Sequence, residues 1–188
     1  MNYYLEKMEL WELKSDSPSM IKPPTKNLVI KNSVYKICPF QHAPENVQDT
    51  LVQMISIGSK EDIMKTWPYG SDILYTLFQP NCAIVSVIGC IALDRKAIIT
   101  TITNLFVNPI HRHKGFASAL LQFAENTTVK YLFEHTIQLW CDDTLVPFYE
   151  KHGYDLTNDD VLVKDGPDGT WSEMKPSVPG QIIMMKSI

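Results

Sequence analysis

Residues 97–131 run a strongly β-branched segment, Ala97–Val107, straight into a basic, glycine-containing turn and then into an amphipathic helix. The joint itself reads Val107-Asn-Pro-Ile-His-Arg-His-Lys-Gly-Phe-Ala117. The first turn of a helix has unpaired N–H groups and a partial positive charge. A glycine there lets an anion approach the backbone, and Arg112, His113 and Lys114 add side-chain charge. Cations at a helix N-terminus are unfavourable unless an anion joins them. The segment therefore predicts the seat of a pyrophosphate. A solvated helix end flanked by the surface histidines His111 and His113 is the bland alternative.

The rest of the chain supplies the layers around this unit. Val34–Cys38 reads as a strand, followed by a helix from Pro44 with Val47, Leu51, Met54 and Ile55 at helical spacing, to a stop at Gly58. Ser59-Lys-Glu-Asp62 has the form of a helix cap and opens a second short helix ending near Pro68 and Gly70. Three strand-like runs follow, Ile73–Gln79, Cys82–Leu93 and Ala97–Val107, joined at hairpin length as an antiparallel meander. The helix over Lys114–Tyr131 carries Phe116, Leu120, Ala124 and Tyr131 on one stripe, beside Ala117 and Leu121. A strand at Thr136–Cys141, a short helix at Leu145–His152 stopped by Gly153, a possible strand near Tyr154 and a last strand at Gln181–Lys186 complete the order. The pattern β–α–α–β–β–β–α–β–α–β is an α+β fold around a mostly antiparallel sheet.

Composition narrows the partners. A chain of 188 residues fits one domain with a real core. The N-terminus does not have the form of a signal peptide, and no apolar run approaches the ~20 residues needed to span a bilayer, so a soluble cytoplasmic protein without a membrane partner is expected. The net charge of −4 argues against a nucleic-acid-binding face. The cysteines Cys38, Cys82, Cys90 and Cys141 are widely spaced without CxxC, which points to buried free thiols and no metal site. Residues 1–32 hold Pro18, Pro23 and Pro24 among polar residues, with Tyr3, Tyr4, Met8 and Trp11 in front. They read as an N-terminal extension with a Pro-rich link, packed on the domain or a partner, or else partly disordered, before a domain at 33–188.

Neither a P-loop nor a dinucleotide fingerprint is present. What fits is a longer constellation: Asn104-Leu-Phe-Val-Asn-Pro109, then Arg112-x-x-Gly115-x-Ala117, then Phe148-Tyr-Glu-Lys-His-Gly-Tyr154. In order and spacing it resembles the GNAT superfamily of acyl-CoA-dependent N-acetyltransferases, with Ala at the last position of the Arg/Gln-x-x-Gly-x-Gly/Ala signature. The strong resemblance covers about residues 82–156. It implies a mixed, mostly antiparallel sheet with a splayed strand pair and helices on both faces. It also implies acetyl-CoA as cosubstrate. Backbone groups of Leu105, Phe106 and Val107 would pair with the pantetheine arm. The amides of Arg112, His113, Lys114, Gly115, Phe116, Ala117 and Ser118 would hold the pyrophosphate, with the Lys114 side chain as a phosphate partner. Tyr149 matches the family's tyrosine near the thioester sulfur, a general acid for the departing thiolate.

The resemblance leaves the base open. Many family members place a Glu on the strand before Val-x-Pro, where this chain has Thr103 and Asn104. Asp142 and Asp143 are the nearest carboxylates, with a helix N-cap pair as their ordinary reading. Residues 155–175 carry six acids against two lysines. Such a loop would attract a cationic acceptor, or be simply solvated. The expected reaction is direct acetyl transfer from acetyl-CoA to a primary amine in a ternary complex, the acceptor a cationic small amine. A protein N-terminal or lysine acceptor, and a catalytically silent CoA-binding module, are the alternatives. Dimers are common in the family, and the 1–32 arm could exchange within a homodimer.

Overall fold

The computed structural model describes residues 24–55, 72–80, 86–94, 99–132, 134–157, 161–165, 170–174 and 180–188. Its main sheet has eight strands: β1 (Lys26–Ile30), β2 (Ser33–Pro39), β3 (Asp72–Gln79), β4 (Ser86–Asp94), β5 (Thr100–Val107), β6 (Thr136–Cys141), β7 (Asp155–Leu156) and β10 (Ile182–Ser187). Their spatial order is β1-β2-β3-β4-β5-β6-β10-β7. Every neighbouring pair is antiparallel except β5 and β6, which run parallel because α2 (Phe116–Thr127) carries the chain between them. The other helices are α1 (Glu45–Ile55) and the short α3 (Val146–Glu150).

Alternation along the central strands sorts side chains onto two faces. On β4, Ile91 and Leu93 turn to the face covered by α2 and α3, where Phe116, Leu120, Leu121, Phe123, Ala124 and Tyr149 are buried. Cys90 and Ala92 turn to the other face, against Val47 and Leu51 of α1 and against Phe40. Edge-to-face pairs Tyr75–Phe123 and Tyr35–Phe116, both with centroids 4.9 Å apart, fasten α2 to the sheet. Burying a side chain such as Leu120 completely contributes roughly 2 kcal/mol relative to exposure. Gln48 of α1 donates from Nε2 to the carbonyls of Phe40 (3.1 Å) and Ala43 (2.9 Å), which ties the turn after β2 to the helix.

Several elements differ from the sequence expectation. The helix foreseen over Lys114–Tyr131 starts at Phe116, because Gly115 is left-handed (φ 91°), and its end widens into a π turn at Thr128–Leu132. The helix foreseen at Leu145–His152 is a 3-10 turn, Asp143–Leu145, followed by the five residues of α3. Lys26–Ile30, within the span read as an extension, forms β1 and pairs with β2 in register Lys26↔Ile37 to Ile30↔Ser33, with Leu28 and Ile30 against the core. The remainder of that arm, up to residue 23, and the helix expected at 59–70 lie outside the described residues. The acidic stretch contains two strands, β8 (Val161–Asp165) and β9 (Thr170–Met174), which pair antiparallel as a separate sheet.

Candidate active site

The site begins where a sheet rule is broken. β5 and β6 pair at Thr100↔Ile137, Thr101↔Gln138 and Ile102↔Leu139, and there the pairing stops, although both strands continue. The departure coincides with a bulge. Leu93 of β4 faces Ile102 and the preceding Ala92 faces Asn104, so Thr103 is an extra residue in β5. A bulge bends its strand and increases the local twist. Thr100, Thr101 and Ile102 are buried, whereas Thr103 is exposed and Asn104, Leu105 and Phe106 are half-buried.

The closed end is fastened by side chains. The Glu134 carboxylate accepts from Thr100 N (2.7 Å) and Thr100 Oγ1 (2.5 Å), and Gln138 Nε2 donates to Thr101 Oγ1 (2.8 Å). On the other edge, Asn108 N donates to Ile88 O at 2.8 Å. In an antiparallel ladder, hydrogen-bonded and non-bonded pairs alternate. Phe106 thus turns its own N–H and C=O toward Cys90, while those of Leu105 and Val107 point into the gap. Gly89 is obligatory here, since a Cβ would lie 2.2 Å from Phe106 O.

Beyond the gap comes the basic turn. Asn108 caps a 3-10 turn, Pro109–His111, its side chain accepting from Ile110 N at 3.2 Å. Arg112 folds back so that Nε donates to Val107 O (3.1 Å), and Lys114 Nζ donates to Ile110 O (2.8 Å). His113 is left-handed (φ 59°), as is Gly115, which occupies the N-cap of α2 with no side chain to cap it. No acid lies in the first turn. The Phe116, Ala117 and Ser118 amides therefore have no acceptor within the helix. A Cβ at Gly115 would meet nothing within 4 Å, so the space beside this N-cap is open. A bare, positively polarised helix end with a clear approach suits an anion such as a pyrophosphate.

Tyr149 sits on α3, buried, with its ring edge-to-face on Phe148 (5.0 Å) and Tyr154 (5.8 Å). Its hydroxyl is pushed up to about 12, first by burial and then by Cys141 at the end of β6. It is a proton donor throughout the physiological range. The Cys141 thiol is itself raised by burial and by Asp142, which disfavours a thiolate nucleophile. Asp142 and Asp143 are exposed where β6 ends, beside the open end of the gap. Asp142 takes the N-cap position of the 3-10 turn through its backbone, Leu145 N donating to Asp142 O at 2.9 Å, with no side-chain cap bond. The structure thus brings Leu105, Val107, the 112–118 turn and Tyr149 around one face of the sheet.

The family model of the acetyltransferase (GNAT) domain matches residues 73–175. The chain belongs to the GNAT acetyltransferase family. It is an acetyltransferase of that family. No curated protein matches it in sequence. Solved structures share the fold. One is a GNAT acetyltransferase from Elizabethkingia anophelis with acetyl-CoA bound: 18% identity, 82% of this chain and 98% of that one covered, TM-score 0.54. Another is the ribosomal-protein-S18-alanine N-acetyltransferase from Escherichia coli, at 15% identity, 82% and 94% coverage and TM-score 0.57. A third is the spermidine/spermine N-acetyltransferase from Vibrio cholerae, at 14% identity, 81% and 92% coverage and TM-score 0.56. At these identities the likeness is one of fold.

Three features of this GNAT site escaped sequence reasoning. The bulge at Thr103 has no compositional mark. Gly89, a lone glycine inside an apolar strand, could have been read as a point of close backbone approach. The third is His152, whose Nε2 lies 2.8 Å from Ser118 Oγ and whose Nδ1 lies 2.8 Å from Phe148 O. These partners are 34 residues apart in sequence, and no local pattern announces them.

Proposed function

We propose that this chain transfers the acetyl group of acetyl-CoA directly to a cationic small amine in a ternary complex. The observation that carries the reading is the gap in the sheet beyond Ile102↔Leu139, which leads straight to the uncapped N-terminus of α2. The gap offers the N–H groups of Leu105 and Val107 and the Leu105 carbonyl to an extended amide-bearing arm, the Val107 carbonyl being held by Arg112 Nε. Phe106, expected from the motif to share this role, turns its backbone toward β4 and packs its half-buried side chain against the cluster on the α1 face. The amides from His113 to Ser118, with the Lys114 and Arg112 charges, hold the pyrophosphate; the Arg112 N–H, expected to join them, donates to Pro109 O at 3.2 Å instead.

The Val107 N–H polarises the thioester carbonyl and steadies the oxyanion, a contribution that is large in a water-poor gap. Tyr149, held protonated by burial, delivers its proton to the leaving sulfur. Asp142 and Asp143, at the mouth, receive the proton of the attacking amine, directly or through one water. The carboxylate-rich sequence of residues 155–175 supports a cationic acceptor by long-range attraction. Cytoplasmic residence, where acetyl-CoA and such amines meet, belongs to the same reading. So does a homodimer, in which the N-terminal arm could pass between subunits.

The test is CoA-thiol release from acetyl-CoA with polyamines, amino sugars, aminoglycosides, amino acids and short peptides bearing free N-termini. Release with polyamines or amino sugars is the expected result. Release with peptides alone would replace the small-amine acceptor with a protein one. Tight acetyl-CoA binding with silence across the panel would favour a CoA-binding module. If Asp159 and Asp160 were replaced by Asn and the acceptor KM stayed unchanged, the electrostatic role of the acidic stretch would fall.

A further inference from the structure

His152 is bonded at both ring nitrogens, and its partners dictate where its protons go. Phe148 O can only accept, so Nδ1 carries a proton. In the neutral ring, Nε2 is then bare and takes the Ser118 hydroxyl proton across 2.8 Å. That leaves the lone pairs of Ser118 Oγ as its remaining hydrogen-bonding capacity, at the third residue of α2, beside amides that await an anion. In the imidazolium, Nε2–H donates to Ser118 Oγ instead, and the hydroxyl proton is free to turn outward. One proton on His152 thus converts Ser118 from an acceptor into a donor at the helix N-terminus.

We propose that His152 is a positioning residue for the CoA pyrophosphate, acting through Ser118, and that CoA binding is coupled to proton uptake by its ring. This rests on the pyrophosphate seat proposed above. The pyrophosphate favours the charged ring twice, through the reoriented hydroxyl and through direct attraction. Glu125, two turns beyond Ser118 on α2, is held by Lys186 of β10 at 2.8 Å, and Lys186 also lies beside Gly153. Glu150 and Lys151 on its own segment are exposed, as are Arg112, His113 and Lys114 on the basic turn. The same link also joins the segment bearing Tyr149 to the first turn of α2.

Calorimetric titration of CoA into the full chain, in buffers of different ionisation enthalpy between pH 6 and 8, measures the protons taken up. The 3′-phosphate of CoA titrates in the same range, so His152→Gln serves as the reference. Its amide can donate to Ser118 at every pH. The wild type is expected to take up more protons than His152→Gln and to bind CoA about tenfold more tightly at pH 6 than at pH 8. His152→Gln should hold the tighter affinity with a flatter profile. Pantetheine, which lacks the pyrophosphate, should bind with no uptake. Equal uptake by wild type and His152→Gln, or equal uptake with pantetheine and CoA, would overturn the proposal while leaving the transferase reading in place. Absence of CoA binding at any pH would remove both.

Discussion

The two halves of β5 make an instructive pair. Thr101 and Ile102 are paired on both edges and Thr100 with β6, and the segment is buried and fastened by Glu134 and Gln138. Beyond the bulge at Thr103, the strand keeps β4 and loses β6. The two halves are similar in β-propensity, so propensity does not separate them. One inserted residue does. The binding surface is therefore made by geometry imposed on ordinary strand residues, and the closed half supplies the fixed point from which the open half diverges.

Deleting Thr103 should break this contrast most completely. Residues 104–107 could keep their β4 partners while the bend is lost, so β5 and β6 would close together. CoA affinity is expected to fall at least about 100-fold, the scale of an ångström-sized misplacement, with the fold retained by circular dichroism. A deletion variant that still bound CoA normally would show that the bulge does not open the site. Next in size, Tyr149→Phe should lower kcat by about 10²-fold, the low end for a lost general acid, and leave the acetyl-CoA KM nearly unchanged. An unaltered kcat would give Tyr149 a packing role only.

Arg112→Ala sharpens the comparison at the far end of the open half. It removes the bond from Nε to Val107 O and should raise the acetyl-CoA KM about fivefold, matching a loss of about 1 kcal/mol. An effect that is nil near neutral pH and global above pH 9 comes from the buried thiols of the opposite face. Burial raises Cys38 to about 11 and Cys90 to about 12, against an ordinary 9. In the unfolded chain these thiols ionise near 9. Their contribution is therefore complete below that pH and is lost as pH rises through 11 to 12. The unfolding free energy should fall as pH rises above 9, by at most about 1.4 kcal/mol per pH unit for each thiol, and Cys90→Ala should flatten the slope.

Much of this was written locally. The β-branched run, the turn and the helix stripe located β5, the anion seat and α2, and Gly153, with its positive φ of 80°, stops the segment after α3. Where the sequence misled, the deciding interaction was remote. Lys26–Ile30 sits in a Pro- and Lys-rich context and becomes a strand by pairing with β2. The acidic composition of residues 155–175 concealed the β8–β9 pair. Leu105 and Phe106 look alike as candidates until the hydrogen bond from Asn108 to Ile88 fixes which backbone faces outward.

Gly89 and the bare start of α2 bear on how such a protein can change over time. The proposed cosubstrate grip uses amides, which every residue but proline carries, so the side chains at positions 105 and 107 are free to vary as long as they pack. Constraint concentrates instead on Gly89, where a methyl group would strike Phe106 O, and on Gly115, whose φ of 91° other residues adopt at a cost. A lineage built this way can replace most of its letters and keep this backbone geometry. That accords with solved structures that share this fold at 14–18% identity.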